Sequence, residues 1–147
     1  MDILVICPSG AVAAPLERLQ LLGDRTERVT VVTWDAPDTD DIDLAITLGK
    51  PVSALSQRIS RMLSSSAPGR NLLRLTPLDG GRRLARAASE DPRLAEAART
   101  ADLLVVLERD GILTGWRATR RWLPASAQAV YGLAPAETLL KIQRAAA

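Results

Sequence analysis

The sequence predicts a three-layer α/β domain: a mostly parallel sheet of five or six strands with helices on both faces. Three observations carry this. Short apolar runs alternate along the chain with stretches of helical periodicity, the order that parallel crossovers produce. The run Leu103–Leu107 is wholly apolar and reads as a strand buried on both faces. Small-residue turn signals follow the apolar runs, as at Cys7-Pro8-Ser9-Gly10. With 147 residues, 47% hydrophobic and 24% charged, the chain fits one domain, residues 1–147, with its own core. Aromatics make up 3% and there is no Phe, so that core is built from Leu, Val, Ile and Ala.

The elements follow in order. Ile3–Ile6 is the first strand, closed by the Cys-Pro-Ser-Gly turn. Ala11–Leu22 is helical, with Leu16, Leu19 and Leu22 on one face and Gly23 as its stop. Val29–Thr33 is rich in β-branched residues and forms a second strand. An acidic loop with Trp34, Asp35, Asp38, Asp40, Asp41 and Asp43 leads to a third strand, Leu44–Leu48, which Gly49 ends. Val52–Leu63 has helical spacing, Ser64–Gly69 is a loop, and Asn71–Leu75 is the candidate sixth strand. Gly80-Gly81 reads as a chain break before helices at Arg82–Ala88 and Pro92–Ala101. Asp91 caps the second of these and Pro92 takes its first position. After Leu103–Leu107, Asp110 is expected to cap a helix through Leu123 with Leu113, Trp116 and Leu123 as its apolar stripe. Ala127–Val130 is the last strand. Pro135 opens a final helix with Leu139, Leu140 and Ile142 inward. The architecture is Rossmann-like or flavodoxin-like, and no internal repeat interrupts it.

Composition removes whole classes of chemistry. There is no histidine, which excludes Ser-His-Asp and Cys-His catalysis, HExxH zinc sites and a histidine pH switch. One cysteine, Cys7, excludes internal disulfides and cysteine-rich metal sites. GxGxxG and GxxxxGK[ST] are both absent, so no cofactor and no metal is expected. The net charge of +2 is unevenly spread. Residues 1–49 carry nine acids against three arginines, and residues 50–99 carry ten bases against four acids. The basic middle has no aromatic residue to stack bases, and Arg outnumbers Lys 17 to 2 throughout, so nucleic acid is not the expected partner. No apolar stretch reaches the ~20 residues of a membrane span. Asp2 stands where a signal peptide is basic, so the expected compartment is the cytoplasm.

Ligands of such folds lie beyond the carboxyl ends of the strands. That rule selects the turns after Ile6, Thr33, Leu48, Leu107 and Val130, and with them Pro8, Ser9, Gly10, Asp35, Gly49 and Glu108 as candidate ligand-binding residues. The first turn feeds a helix N-terminus and is either an anion seat or a plain connection. Cys7 is either a nucleophile or a small buried hydrophobe. The aspartate run is either a divalent-cation site or a solvated turn. Glu108 and Asp110, two apart, are a candidate acid–base pair, with helix capping as the competing role for Asp110. Trp116 and Trp122, six apart, face different ways. One belongs to the core, and the other, beside Arg120 and Arg121, marks a protein interface.

The segment Cys7-Pro8-Ser9-Gly10-Ala11-Val12-Ala13-Ala14-Pro15 resembles the Cys-x5-Arg-Ser-Pro loop of low-molecular-weight tyrosine phosphatases. Ala13 and Ala14 replace the arginine and serine, so the guanidinium that would neutralise phosphoryl oxygens is missing. Phosphocysteine carrier domains of sugar phosphotransferase systems also place a Cys after the first strand, with loop hydroxyls that this loop mostly lacks. A second resemblance spans Ala101–Leu107, Gly115–Arg121, Ala129–Leu133 and the Ile3–Ile6 strand. These pieces resemble the N-terminal, acceptor-side half of GT-B glycosyltransferases. The C-terminal half of that family, with its glutamate pair, is absent, and so is the histidine base of some members. The resemblance therefore implies a chain that does not transfer sugar by itself.

The reading that follows is a non-catalytic binding or interaction domain, with a protein partner, self-association or a small ligand as its occupant. The alternative is an enzyme component: a split glycosyltransferase subunit, or a phosphatase-like hydrolase using Cys7.

Overall fold

Among the described residues five strands form one sheet and all run parallel, in the order β3-β2-β1-β4-β5. A computed structural model of the chain describes residues 1–23, 25–49 and 79–146. The strands are β1 (Asp2–Ile6), β2 (Arg28–Thr33), β3 (Leu44–Thr47), β4 (Leu103–Val106) and β5 (Gln128–Tyr131). The described helices are α1 (Ala13–Arg18), α2 (Gly80–Glu90), α3 (Pro92–Thr100), α4 (Ile112–Arg121) and α5 (Leu133–Ala146), with a 3-10 turn at Arg109–Gly111 before α4. The sequence-predicted helix Val52–Leu63, the loop Ser64–Gly69 and the candidate strand Asn71–Leu75 lie outside the described residues.

Side chains of a strand alternate between faces, so β1 feeds two cores. Ile3, Val5 and Cys7 pack with Leu16 of α1, Leu19 just past its end, and Ala136 and Leu140 from α5. Leu4 and Ile6 pack with Leu84 and Ala88 from α2, Leu94 and Ala98 from α3, and Ala118 from α4. β1 sits mid-sheet, with Ile3 paired to Val29 on one side and Leu103 on the other. All four residues of β4 are buried, as its apolar run predicts. This is the three-layer, Rossmann-like α/β fold. Among the described residues no helix is long and apolar enough to cross a membrane.

The differences from the sequence reading have local causes. α1 ends at Arg18, well short of Gly23. Gln20 takes φ 56°, the Leu21 amide donates to Leu16 O at 2.8 Å, and the Gln20 amide donates to Glu17 O at 2.9 Å. That is a Schellman stop with glutamine where glycine is usual. Arg144 of α5 secures it by donating to Leu19 O at 3.3 Å and Gln20 O at 3.1 Å. Gly80-Gly81 begins α2 and does not break the chain, because the Asp79 carboxylate caps the helix by accepting from Arg82 N. In α5 Ile142 is 59% exposed, while Leu140 is buried and Leu139 packs at the core margin. The helix starts at Leu133, ahead of Pro135.

The buried face of α4 is made of small residues, Thr114, Gly115 and Ala118, and not of the predicted large stripe. A side chain at Gly115 would collide with Val106 Cγ2, so this glycine lets α4 lie directly on β4. Trp116 is consequently turned outward, and Leu113 is only half-buried.

Candidate functional site

The parallel sheet gathers every strand's carboxyl end at one edge. β1 sits between β2 and β4, the point where strand order reverses, and a crevice is expected there. The turns meeting at this point are Cys7–Gly10 after β1 and Leu107–Glu108 after β4.

The crevice is filled by the chain's own carboxylate. Glu108 Oε2 accepts from the Ser9 amide at 3.0 Å, and Glu108 Oε1 accepts from the Ser9 hydroxyl. Cys7 Sγ lies 3.5 Å from the same Oε1. Cys7, Pro8 and Gly10 are buried, and Ser9 is exposed. Burial pushes the Cys7 thiol up to about 11; the Ser9 hydrogen bond opposes it, and the neighbouring Glu108 carboxylate adds to the rise. An activated nucleophile needs the opposite surroundings, a cation or a helix N-terminus that favours thiolate.

The N-terminus of α1 is filled in the same way. Asp38 Oδ1 accepts from the amides of Val12 and Ala13, both at 2.8 Å, and these bonds hold its carboxyl below the usual range. The acidic run is therefore a brace. Asp41 accepts from the Gly23 amide and pairs with Arg25 at 2.8 Å. Asp43 accepts from Val29 N at 2.7 Å and pairs with Arg25 at 2.9 Å. Gly10 locks the turn from below. Its φ is +80°, and a Cβ there would meet Ala36 O at 2.7 Å and Asp35 O at 3.3 Å. Asp35 thus touches the first turn through its backbone.

Of the sequence-predicted ligand set, Pro8, Ser9, Gly10, Asp35 and Glu108 come together, with Cys7 among them. Gly49 does not. It lies at the end of edge strand β3 and lines a separate groove of about 450 Å³ with Thr47, Ala87, Glu90 and Arg93. A further cavity of about 320 Å³ opens where the strands begin, beside Asp2, Arg28, Leu44 and Thr100, away from the carboxyl edge.

Asp110 is not the helix cap that its position suggested. The 3-10 turn intervenes, and Gly111 is the residue that precedes α4. The Asp110 carboxyl instead lies against Gly80 at the start of α2, next to the capping Asp79. Partial burial there raises its pKa, and the charge of Asp79 adds to the effect. Asp79, Arg109, Asp110, Ile112, Leu113 and Trp116 line a cleft of about 400 Å³. Trp116 is 56% exposed and Ile112 44% exposed on the outer face of α4. Arg120 stacks over the Trp116 ring, its guanidinium carbon 5.3 Å from the centroid.

The two tryptophans divide as their spacing implies. Trp122 is half-buried and packs against the core on the α2–α4 side, so the interface candidates that share the open face are Trp116 and Arg120. Asp79, Ile112 and the capping role of Asp38 escaped the sequence reading. Asp79 just before the Leu84 and Ala88 stripe is a helix-start signal. Ile112, Trp116 and Arg120 recur at four-residue spacing, a stripe that stands out once small Thr114, Gly115 and Ala118 are taken as the packing face.

Among the described residues no three or more His, Cys, Asp or Glu converge as metal ligands. Comparison with protein-family models, curated proteins and solved structures finds no match to this chain.

Proposed function

We propose that this chain is a non-catalytic interaction domain that docks a protein on the outer face of α4, around Trp116. The observation that carries the reading is the seating of Glu108 on the Ser9 amide and hydroxyl. A ligand anion at the strand-reversal point has to displace a carboxylate that is already bonded there. Trp116 and Ile112, in contrast, stay 56% and 44% exposed, and Trp116 carries only the guanidinium of Arg120 over its ring. Apolar and aromatic side chains clustered at one exposed place are the usual anchors of protein interfaces. The resemblance to the acceptor-side half of GT-B glycosyltransferases is compatible with this reading, since that half works beside a second body. It is fold-level analogy and assigns no chemistry. The rival, a hydrolase using Cys7, meets a thiol raised by burial and by the adjacent carboxylate.

The test is direct. The purified chain is incubated with p-nitrophenyl phosphate and with nucleotide sugars, and Cys7 is alkylated with iodoacetamide across pH. No turnover is expected, and alkylation should stay slow through neutral pH, accelerating only toward about pH 11. Turnover that disappears in Cys7→Ser or Asp110→Asn overturns the proposal.

A further inference from the structure

We infer that the occupant of this face is a second copy of the same chain, with the two α4 helices antiparallel about a two-fold axis passing beside Trp116. The inference rests on the interaction-domain reading and names its partner.

The argument is the order of charge along the face. At its start stand the carboxylates of Asp110 and, on the adjoining helix cap, Asp79, which outnumber Arg109, the one cation among the described residues that line this cleft. At its end stand Arg120 and Arg121, for which no ion pair is present among the described residues. Arg117 is drawn inward, donating to Ala85 O at 3.2 Å. Between the charged ends lie the exposed Ile112 and Trp116, one helical turn apart.

A partner that is uniformly acidic would satisfy Arg120 and Arg121 but face Asp79 and Asp110 with like charge. A uniformly basic partner has the reverse conflict. The face itself, turned end for end, matches both ends at once. An isologous contact requires that kind of self-complementarity. Asp110, in the 3-10 turn before α4, and Arg120, near its end, stand five residues either side of 115, about 7 Å each way at ~1.5 Å rise per residue. Crossing on the outer side beside Trp116 therefore sets Asp110 of each copy near Arg120 of the other and brings the two Trp116–Ile112 patches together. The helix dipoles then oppose each other, which is also favourable.

The test uses the full chain in sedimentation velocity over a wide concentration range, with circular dichroism confirming that each variant is folded. The wild type should show a monomer–dimer equilibrium, and Trp116→Ala should weaken it about thirty-fold or more, as expected for a central anchor. Asp110→Arg and Arg120→Asp should each be monomeric alone, because each sets like charges together twice. Mixed, they should form a heterodimer, since both contacts are then opposite in sign. A wild type that stays monomeric at every concentration overturns the inference. So does a dimer indifferent to Trp116→Ala, or a mixture of the two charge variants that fails to associate. A monomer whose tryptophan fluorescence responds to poly-glutamate assigns the face to an acidic partner. That outcome removes the second copy but leaves the interaction-domain reading standing, whereas turnover dependent on Cys7 removes the reading itself.

Discussion

The edge where β1 and β4 end and the outer face of α4 are close neighbours in the chain, and they are finished in opposite ways. At the edge, the amides of Ser9, Val12 and Ala13 each meet a carboxylate from elsewhere in the sequence, Glu108 or Asp38. On α4, Trp116 and Ile112 stay open to solvent, and the indole carries over its ring a guanidinium of the same helix. A strand-end turn rich in small residues is a general property of parallel α/β sheets. What distinguishes one member from another is whether the chain keeps those amides free. Here it does not, and the unsatisfied surface has moved to a helix.

The closed edge is the more costly of the two to break. Gly10→Ala forces a side chain onto a residue with φ +80° and onto the backbone oxygen of Ala36, which cannot swing aside as a flexible side chain can. Strain of that kind and the overlap together should cost about 2–4 kcal/mol. The check is a urea melt of the variant beside the wild type. Unchanged stability would mean that the turn is not held against the Asp35–Ala36 backbone.

The two tryptophans test the contrast within one helix. Trp122 is packed on the core and Trp116 is not. Trp122→Ala should destabilise by about 2–3 kcal/mol, somewhat under the range for a fully buried tryptophan. Trp116→Ala should change stability by no more than ~0.5 kcal/mol when measured dilute enough for the chain to be monomeric. Equal losses at the two positions would show that the outer face is part of the fold and not a free surface.

Acid should loosen the closed edge before the core. The carboxyl of Asp38 is held low by the Ala13 and Val12 amides, so its contribution is present above an ordinary aspartate pKa near ~3.9 and is lost as pH falls through the depressed folded value. Asp110 has the opposite sign. Its pKa is raised, so its contribution is lost as pH rises through the folded value. Urea midpoints taken from neutral pH downward should therefore fall less steeply in Asp38→Asn than in the wild type, and Asp110→Asn should gain stability near neutrality. A wild-type slope in Asp38→Asn would remove Asp38 from the account.

The pattern of prediction and outcome follows the range of the interactions involved. The strands were legible because parallel burial writes itself as unbroken apolar runs, as in Leu103–Leu107, and the Asp91–Pro92 helix start was legible because its cap is local. The end of α1 was not, since Gln20 takes its left-handed conformation under a stop that Arg144, over a hundred residues away, holds in place. The inward face of α4 was misread because large apolar residues are the ordinary sign of a core, whereas this helix approaches β4 so closely that only Thr114, Gly115 and Ala118 fit. Topology alone brings the candidate turns after β1 and β4 to one edge. Its saturation by Glu108 and Asp38 joins residues about 100 and 25 positions apart, and no local pattern encodes that.

That inward face also holds a polar group the fold does not use. Thr114 Oγ1 is buried without a hydrogen-bond partner among the described residues, beneath the same helix whose other side carries Trp116. A buried hydroxyl left unbonded opposes folding, and exchanging it for a methyl of similar size removes that term. Thr114→Val should therefore stabilise the chain by about 1 kcal/mol in a urea melt while leaving the sedimentation behaviour of the chain unchanged. The separation of the two readouts is the informative part. If the variant altered association as strongly as stability, the inner and outer faces of α4 would be coupled. Its surface could then no longer be treated as independent of its packing.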